Sequence, residues 1–220
     1  MARRAETRYV LEDVRARCRR SRSDANPRFG YTGLVSAIRS DEVSAQLLID
    51  LINTYYLGDE SDVLADAAAT QWVRDHTGHK GRDLSAAALA PLRQLREGLR
   101  QAALGNNGGR PEPGAIREAE AVLRGVPVTV SLSGGIRGVA VGSSARDGGV
   151  DNILATVARA YLANQLSGMW PRIKVCAQPS CRWAFLDLSR NGSRRWCDMS
   201  ECGNRAKNRA WRGRQSHRTA

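Results

Sequence analysis

No apolar run in this 220-residue chain approaches the roughly twenty residues needed to cross a bilayer. A membrane partner is therefore not expected. The arginine-rich N-terminus lacks the apolar core of a signal peptide, so the expected location is cytoplasmic. Histidine is scarce. Its three copies, His76, His79 and His217, fall in loop or tail contexts, and His76 and His79 have no third ligand nearby. The run Ser133-Gly134-Gly135 lacks the Lys-Ser/Thr of a phosphate loop and the strand-to-helix setting of a dinucleotide fingerprint, so it reads as a turn. No nucleophile motif is present. Nothing here reads as an active site, and a non-catalytic protein is expected.

What the chain does have is positive charge, unevenly placed. The net charge is +12, yet residues 41–170 carry twelve basic and fifteen acidic groups. The excess lies in the two ends. Residues 1–40 carry ten basic and four acidic groups, and residues 171–220 carry twelve and three. This asymmetry points to a polyanion as the partner of the ends.

Residues 1–39 read as a basic, disordered tail, with Cys18 as a leftover exposed thiol. Val43, Leu47, Leu48, Leu51, Ile52, Tyr55 and Tyr56 recur at helical spacing, with Ser40 or Asp41 as the cap. A second helix is expected from Asp62 to His76, and a third follows Asp83 or Ser85, with Pro91 starting or kinking it. Pro111 to Leu123 reads as a fourth helix. Val126–Leu132 and Ile136–Val141 alternate as a β-hairpin, and Asp151 to Gly168 forms the most regular helix. The fold class is therefore mainly α with one β-hairpin over residues 40–170. The segment Gly168-Met169-Trp170-Pro171 reads as the boundary between this part, with a core of its own, and a C-terminal module at 171–214. Residues 215–220 read as a second tail.

The module is organised by cysteines. Cys176 and Cys181 form one pair and Cys197 and Cys202 another, with four residues inside each pair and fifteen between them. Two such turns build a tetrahedral sulfur cage of the kind zinc takes in a structural site, leaving no open position for a reacting water. Two disulfides, the alternative, suit secreted chains. Between the pairs, Trp183 to Leu188 alternates as a strand, Ser189 to Ser193 holds an Asn-Gly turn, and Arg194 to Cys197 returns as a second strand. Asp198 or Ser200 caps a following helix. Trp183, Trp196 and Trp211 read as core of this small module, with base stacking as the alternative.

The run Phe185-Leu186-Asp187-Leu188-Ser189-Arg190-Asn191-Gly192-Ser193-Arg194-Arg195-Trp196-Cys197, followed by Cys202-Gly203-Asn204-Arg205, resembles the CGNR zinc finger. The module is treble-clef-like. The usual companion of that finger is an N-terminal helical domain, ABATE. Leu51-Ile52-Asn53-Thr54 and Leu95-Arg96-Glu97-Gly98-Leu99 are similar to it. The resemblance implies a stress-induced bacterial transcription regulator holding one structural zinc. It also implies a helical part that senses a ligand or self-associates, for example as a homodimer.

A DNA surface is available beside the metal. Arg205, Arg209 and Arg212 share one face of the last helix, which also carries Lys207, Asn208 and Arg214, and Arg190, Arg194 and Arg195 lie on or beside the hairpin. The expected function is DNA binding in transcription regulation. The alternative is a non-catalytic adaptor whose basic face takes RNA or an acidic protein.

Overall fold

The computed structural model describes residues 44–126, 128–130, 139–141 and 149–216. The basic N-terminal segment with Cys18, the cap at Ser40 or Asp41, the turn at Ser133-Gly134-Gly135 and residues 217–220 lie outside the described residues.

Helix α1 spans residues 44–52 and fully buries Leu48, Leu51 and Ile52. It stops short of the expected Tyr56. Tyr55–Tyr56 (β1) instead pairs antiparallel with Ser61–Asp62 (β2). The carbonyls that would have continued the helix are claimed from elsewhere: Arg100 donates to those of Ile52 and Tyr55 at 2.5 and 3.1 Å. The helix expected from Asp62 is also divided. Val63–Ala65 is a single 3-10 turn capped by the Asp62 carboxylate. Asp66 is extended, and α2 runs from Ala69 to Thr77. Asp62 is held out of a helix by Arg96, which donates to its two oxygens at 2.6 and 3.0 Å.

Helix α3 (Ala90–Asn106) has Pro91 in its first turn, where no amide hydrogen is required. Helix α4 (Pro113–Arg124) ends at Gly125. The expected hairpin follows as β3 (Val128–Val130) and β4 (Val139–Val141), with Thr129 opposite Ala140. Helix α5 spans Val150–Leu166, and a 3-10 turn at Trp170–Arg172 leads into β5 (Ile173–Val175). No helix among the described residues is long and apolar enough to cross a membrane.

The C-terminal strand pairing differs from expectation. Strand β6 (Ala184–Leu186) pairs antiparallel with β5, Ile173 opposite Leu186, and not with residues 194–197. The Asn191-Gly192 turn is present, with Gly192 at φ 57°, but no strand follows it. The physical reason is a buried ion pair at 2.8 Å between Lys174 of β5 and Asp187 just after β6. The fold is thus mainly α, with three small antiparallel pairs among the described residues where one hairpin was expected in the helical part and another in the module.

The two parts do not bury separate cores. One buried cluster includes Leu48, Leu51, Leu92, Leu95 and Val157, with Trp170 at the expected boundary and Ile173, Val175 and Ala184 from beyond it. Three asparagines stitch the junction. Asn53 exchanges two hydrogen bonds with the main chain of Ala184, at 3.0 and 2.8 Å. Asn106 donates to the carbonyls of Trp170 and Ile173 at 2.8 and 2.9 Å, and Asn107 to those of Val175 and Arg195, both at 2.8 Å.

Helices α3 and α4 pack closely at Gly98, where a Cβ would fall 2.1 Å from that of Ala119. Alanine is the better helix former by about 1 kcal/mol, but overpacking costs about 1–3 kcal/mol. Gly98→Ala is therefore predicted to lower the urea midpoint despite its higher helix propensity.

Candidate metal centre and basic helix

The four cysteines sit on two turns that the core fixes in place. Cys176 follows β5, and its amide donates to the Trp183 carbonyl at 2.9 Å, which closes the loop carrying Cys181. The amide of Ala177 donates to the Arg195 carbonyl at 3.0 Å, drawing in the segment before Cys197. Asp198 then caps the turn Met199–Gly203, accepting from the amides of Ser200 and Glu201 at 2.7 and 3.1 Å, and Cys202 lies within that turn. Helix α6 (Asn204–Ser216) leaves directly from it. The knuckle and the cysteine-bearing helix start occur where expected, while the strand pair brackets the knuckle instead of following it.

All four Sγ atoms lie within 4.8 Å of one another. Cys181 to Cys197 is 3.6 Å and Cys197 to Cys202 is 3.8 Å. A tetrahedral zinc with Zn–S bonds of about 2.3 Å has sulfur–sulfur edges of about 3.8 Å, so the donor set fits such an ion. None of the four is in a disulfide. Packed together, the four thiols cannot all ionise without a shared cation. Hydrogen bonds from Cys181 and Cys197 hold Cys176 down at about 2, while burial, then the charges of Cys181 and Cys176, push Cys202 up to about 12. A divalent ion allows all four to ionise together.

The loop between the pairs is organised by Asp187, a residue to which the sequence reading gave no role. Burial pushes its carboxyl up, but the Lys174 ammonium and donors from Ser189 and Arg194 outweigh this and hold it at about 2. It accepts from the Ser189 amide and hydroxyl at 3.0 and 2.5 Å and from the Arg194 amide at 2.9 Å. Lys174 also donates to the Gly192 carbonyl. Gly203 is a second such residue. A Cβ there would meet Met199 Sδ at 2.8 Å and Trp196 Cδ1 at 3.2 Å, so a larger side chain requires the Met199 side chain to move.

The basic residues fall into two groups. Arg194 serves the loop itself. It donates to the carbonyls of Trp196 and Cys197, and its guanidinium lies 5.0 Å over the Phe185 ring. Arg209 reaches back to the buried Gln178 side chain at 3.3 Å. Arg190, Arg205, Lys207, Asn208, Arg212 and Arg214 are exposed, as is Arg195, which stands over the Trp196 ring at 5.7 Å. Trp211 was expected in the core and is 57% exposed. Trp183 and Trp196 are half-buried, and Trp183 packs edge-on to Tyr56 at 6.0 Å. On a 3.6-residue helix Lys207, Trp211 and Arg214 share the side away from Arg209. His76 stacks on Trp72 at 4.2 Å and His79 bonds the Arg82 carbonyl, so neither adjoins the cysteine cluster.

Fold and site define a helical protein carrying a four-cysteine metal finger. Residues 172–215 match the CGNR zinc finger. Residues 45–165, more than half of the chain, match ABATE, described as "putative stress-induced transcription regulator". The chain belongs to the ABATE family. No curated protein matches it.

Removing Asp187 leaves the Lys174 ammonium buried without its counterion, a defect worth about 3–5 kcal/mol. Asp187→Ala is predicted to lower the unfolding free energy by that order, measured by urea denaturation of the metal-loaded protein.

Proposed function

We propose that the chain is a zinc-dependent, DNA-binding transcription regulator that acts by binding and not by catalysis. The observation that carries this reading is helix α6. It is held at its start by Cys202 and is exposed along almost its whole length, with five cationic side chains and no acidic one. Such a helix contributes little to packing. A polyanion supplies what it lacks. Arg205 and Arg212, with Arg190 and Arg195 on the neighbouring loop, take phosphates. Lys207, Asn208 and Arg214 extend the surface around the helix, and Trp211 offers a stacking face. Arg209 and Arg194 act mainly by holding these elements in place. The helical part serves as a ligand-sensing or self-association module.

The metal is one structural zinc held by Cys176, Cys181, Cys197 and Cys202, a ligand set without an open position. Its role is to fold the loop and to fix the start of α6. Elemental analysis is predicted to give one zinc per chain, and Cys197→Ser is predicted to lose it. As pH falls the thiolates protonate in competition with the ion, so zinc should be released on the acid side.

DNA binding is tested by electrophoretic shift with genomic fragments against RNA across a salt series. The log–log slope should be about −0.9 for each phosphate neutralised. Arg212→Ala should shrink that slope by about one unit if Arg212 touches only phosphate, or remove about 1–3 kcal/mol on the preferred site alone if it reads a base. A zinc-loaded protein that binds RNA or an acidic protein and no DNA at low salt would replace this reading with the adaptor.

A further inference from the structure

A cavity of about 320 Å³ opens where helix α3 meets the metal loop. The finger contributes Val175 and Arg182, which flank the loop of Cys176 and Cys181. The helical part contributes Tyr55, Leu57 and Leu104, with Arg110 and Glu112 from the α3–α4 connection. Its size is at the lower end of small-molecule sites, roughly 300–1,000 Å³.

The charges around it do not cancel. Arg100, on one wall, is fully engaged. It donates to Glu97 at 3.2 Å, to the Arg182 carbonyl at 3.1 Å, and to the carbonyls of Ile52 and Tyr55. Glu97 is matched by Arg96 and Arg100. Arg182, Arg110 and Glu112 remain, and neither arginine has an ion pair among the described residues. Two arginines and one glutamate thus remain on the lining of a half-open space that also includes Tyr55, Gln101 and three aliphatic residues.

The backbone of Arg182 adds an independent observation. It lies in the left-handed region, φ 51°, one residue after Cys181, and its carbonyl is held by Arg100. Side chains other than asparagine and aspartate seldom adopt that region, and positions forced into it concentrate at ligand clamps.

We propose that this cavity binds a small organic anion, a carboxylate or phosphate on a flat apolar body. Arg182 and Arg110 take the anionic group, and Tyr55, Leu57, Leu104 and Val175 take the body. Because Arg182 directly follows Cys181, occupancy holds the metal loop closed and slows loss of the ion. That last step rests on the zinc reading above; the binding step does not.

The test uses the full chain as purified, with whatever metal it holds, titrated calorimetrically with phenyl phosphate, benzoate and inorganic phosphate. At least one of the two aromatic anions should bind saturably, and inorganic phosphate about tenfold more weakly or not at all. Arg110→Gln, in an exposed connection, should weaken binding about tenfold. Arg182→Asn, whose side chain tolerates the left-handed backbone, should do the same. Arg117→Gln, exposed on α4 outside the cavity, should change nothing. Absence of saturable binding by both aromatic anions, or binding that survives both cavity substitutions, overturns the site. Inorganic phosphate binding equally well overturns the apolar half of it. Zinc transfer to a chelator should slow when the bound aromatic anion is present, and an unchanged rate overturns the coupling alone. No nucleic acid enters these measurements, so their failure and the failure of DNA binding are separate results.

Discussion

Two guanidinium groups buried in the middle of one helix hold this structure together. Arg96 and Arg100 of α3 are each only 4% exposed. A charge withdrawn from water to that degree is unstable unless every donor finds an acceptor. Arg96 finds Asp62, Glu97 and the Thr54 hydroxyl, and Arg100 finds Glu97 and three main-chain carbonyls. These demands end α1 early and turn Tyr55–Tyr56 into a strand. They also bring the backbone of Arg182 in the finger against the helical part. The apolar residues of α3 supply the driving force, while the arginines select which chain segments pack where.

The cysteine cluster works by the opposite means. It has little apolar surface of its own and depends on charge compensation at a point. Four sulfurs within reach of one ion favour a divalent cation strongly, and the turns bearing them are already tied to the common core through Asn107, Ala177 and the Lys174–Asp187 pair. Metal binding is therefore linked to a core that extends into the helical part. Order at the finger and order at the junction cavity depend on the same few hydrogen bonds.

The sequence made some of this legible because the relevant signals are local. Cysteine spacing needs only two short turns, and the apolar period of α3 to α5 needs only neighbours three and four residues away. Asp198 as a cap and Pro91 in a first turn are equally local. What could not be read depends on partners far along the chain. Arginine is ordinarily a surface residue, and nothing near Arg100 announces that its main-chain acceptors lie 45 to 82 positions away. The Asn-Gly turn was correctly placed, yet the strand beside it was matched to the wrong partner because Lys174 and Asp187 lie on opposite sides of the knuckle. Trp211 was assigned to the core on composition alone, and burial is decided by where a helix points.

Helix α6 points outward, and this has a mechanical consequence. At 1.5 Å per residue its thirteen residues span about 20 Å. Its base is tied to the body by the cysteine turn and by the contact of Arg209 with Gln178. Rotation at the base of such a rod is magnified along its length. A tilt of about 10° at Cys202 carries the far end through roughly 3 Å, about the length of a hydrogen bond. The finger is thus geared like a lever: displacements at the sulfur cage too small to disturb the core become shifts of about 3 Å at Arg212 and Arg214.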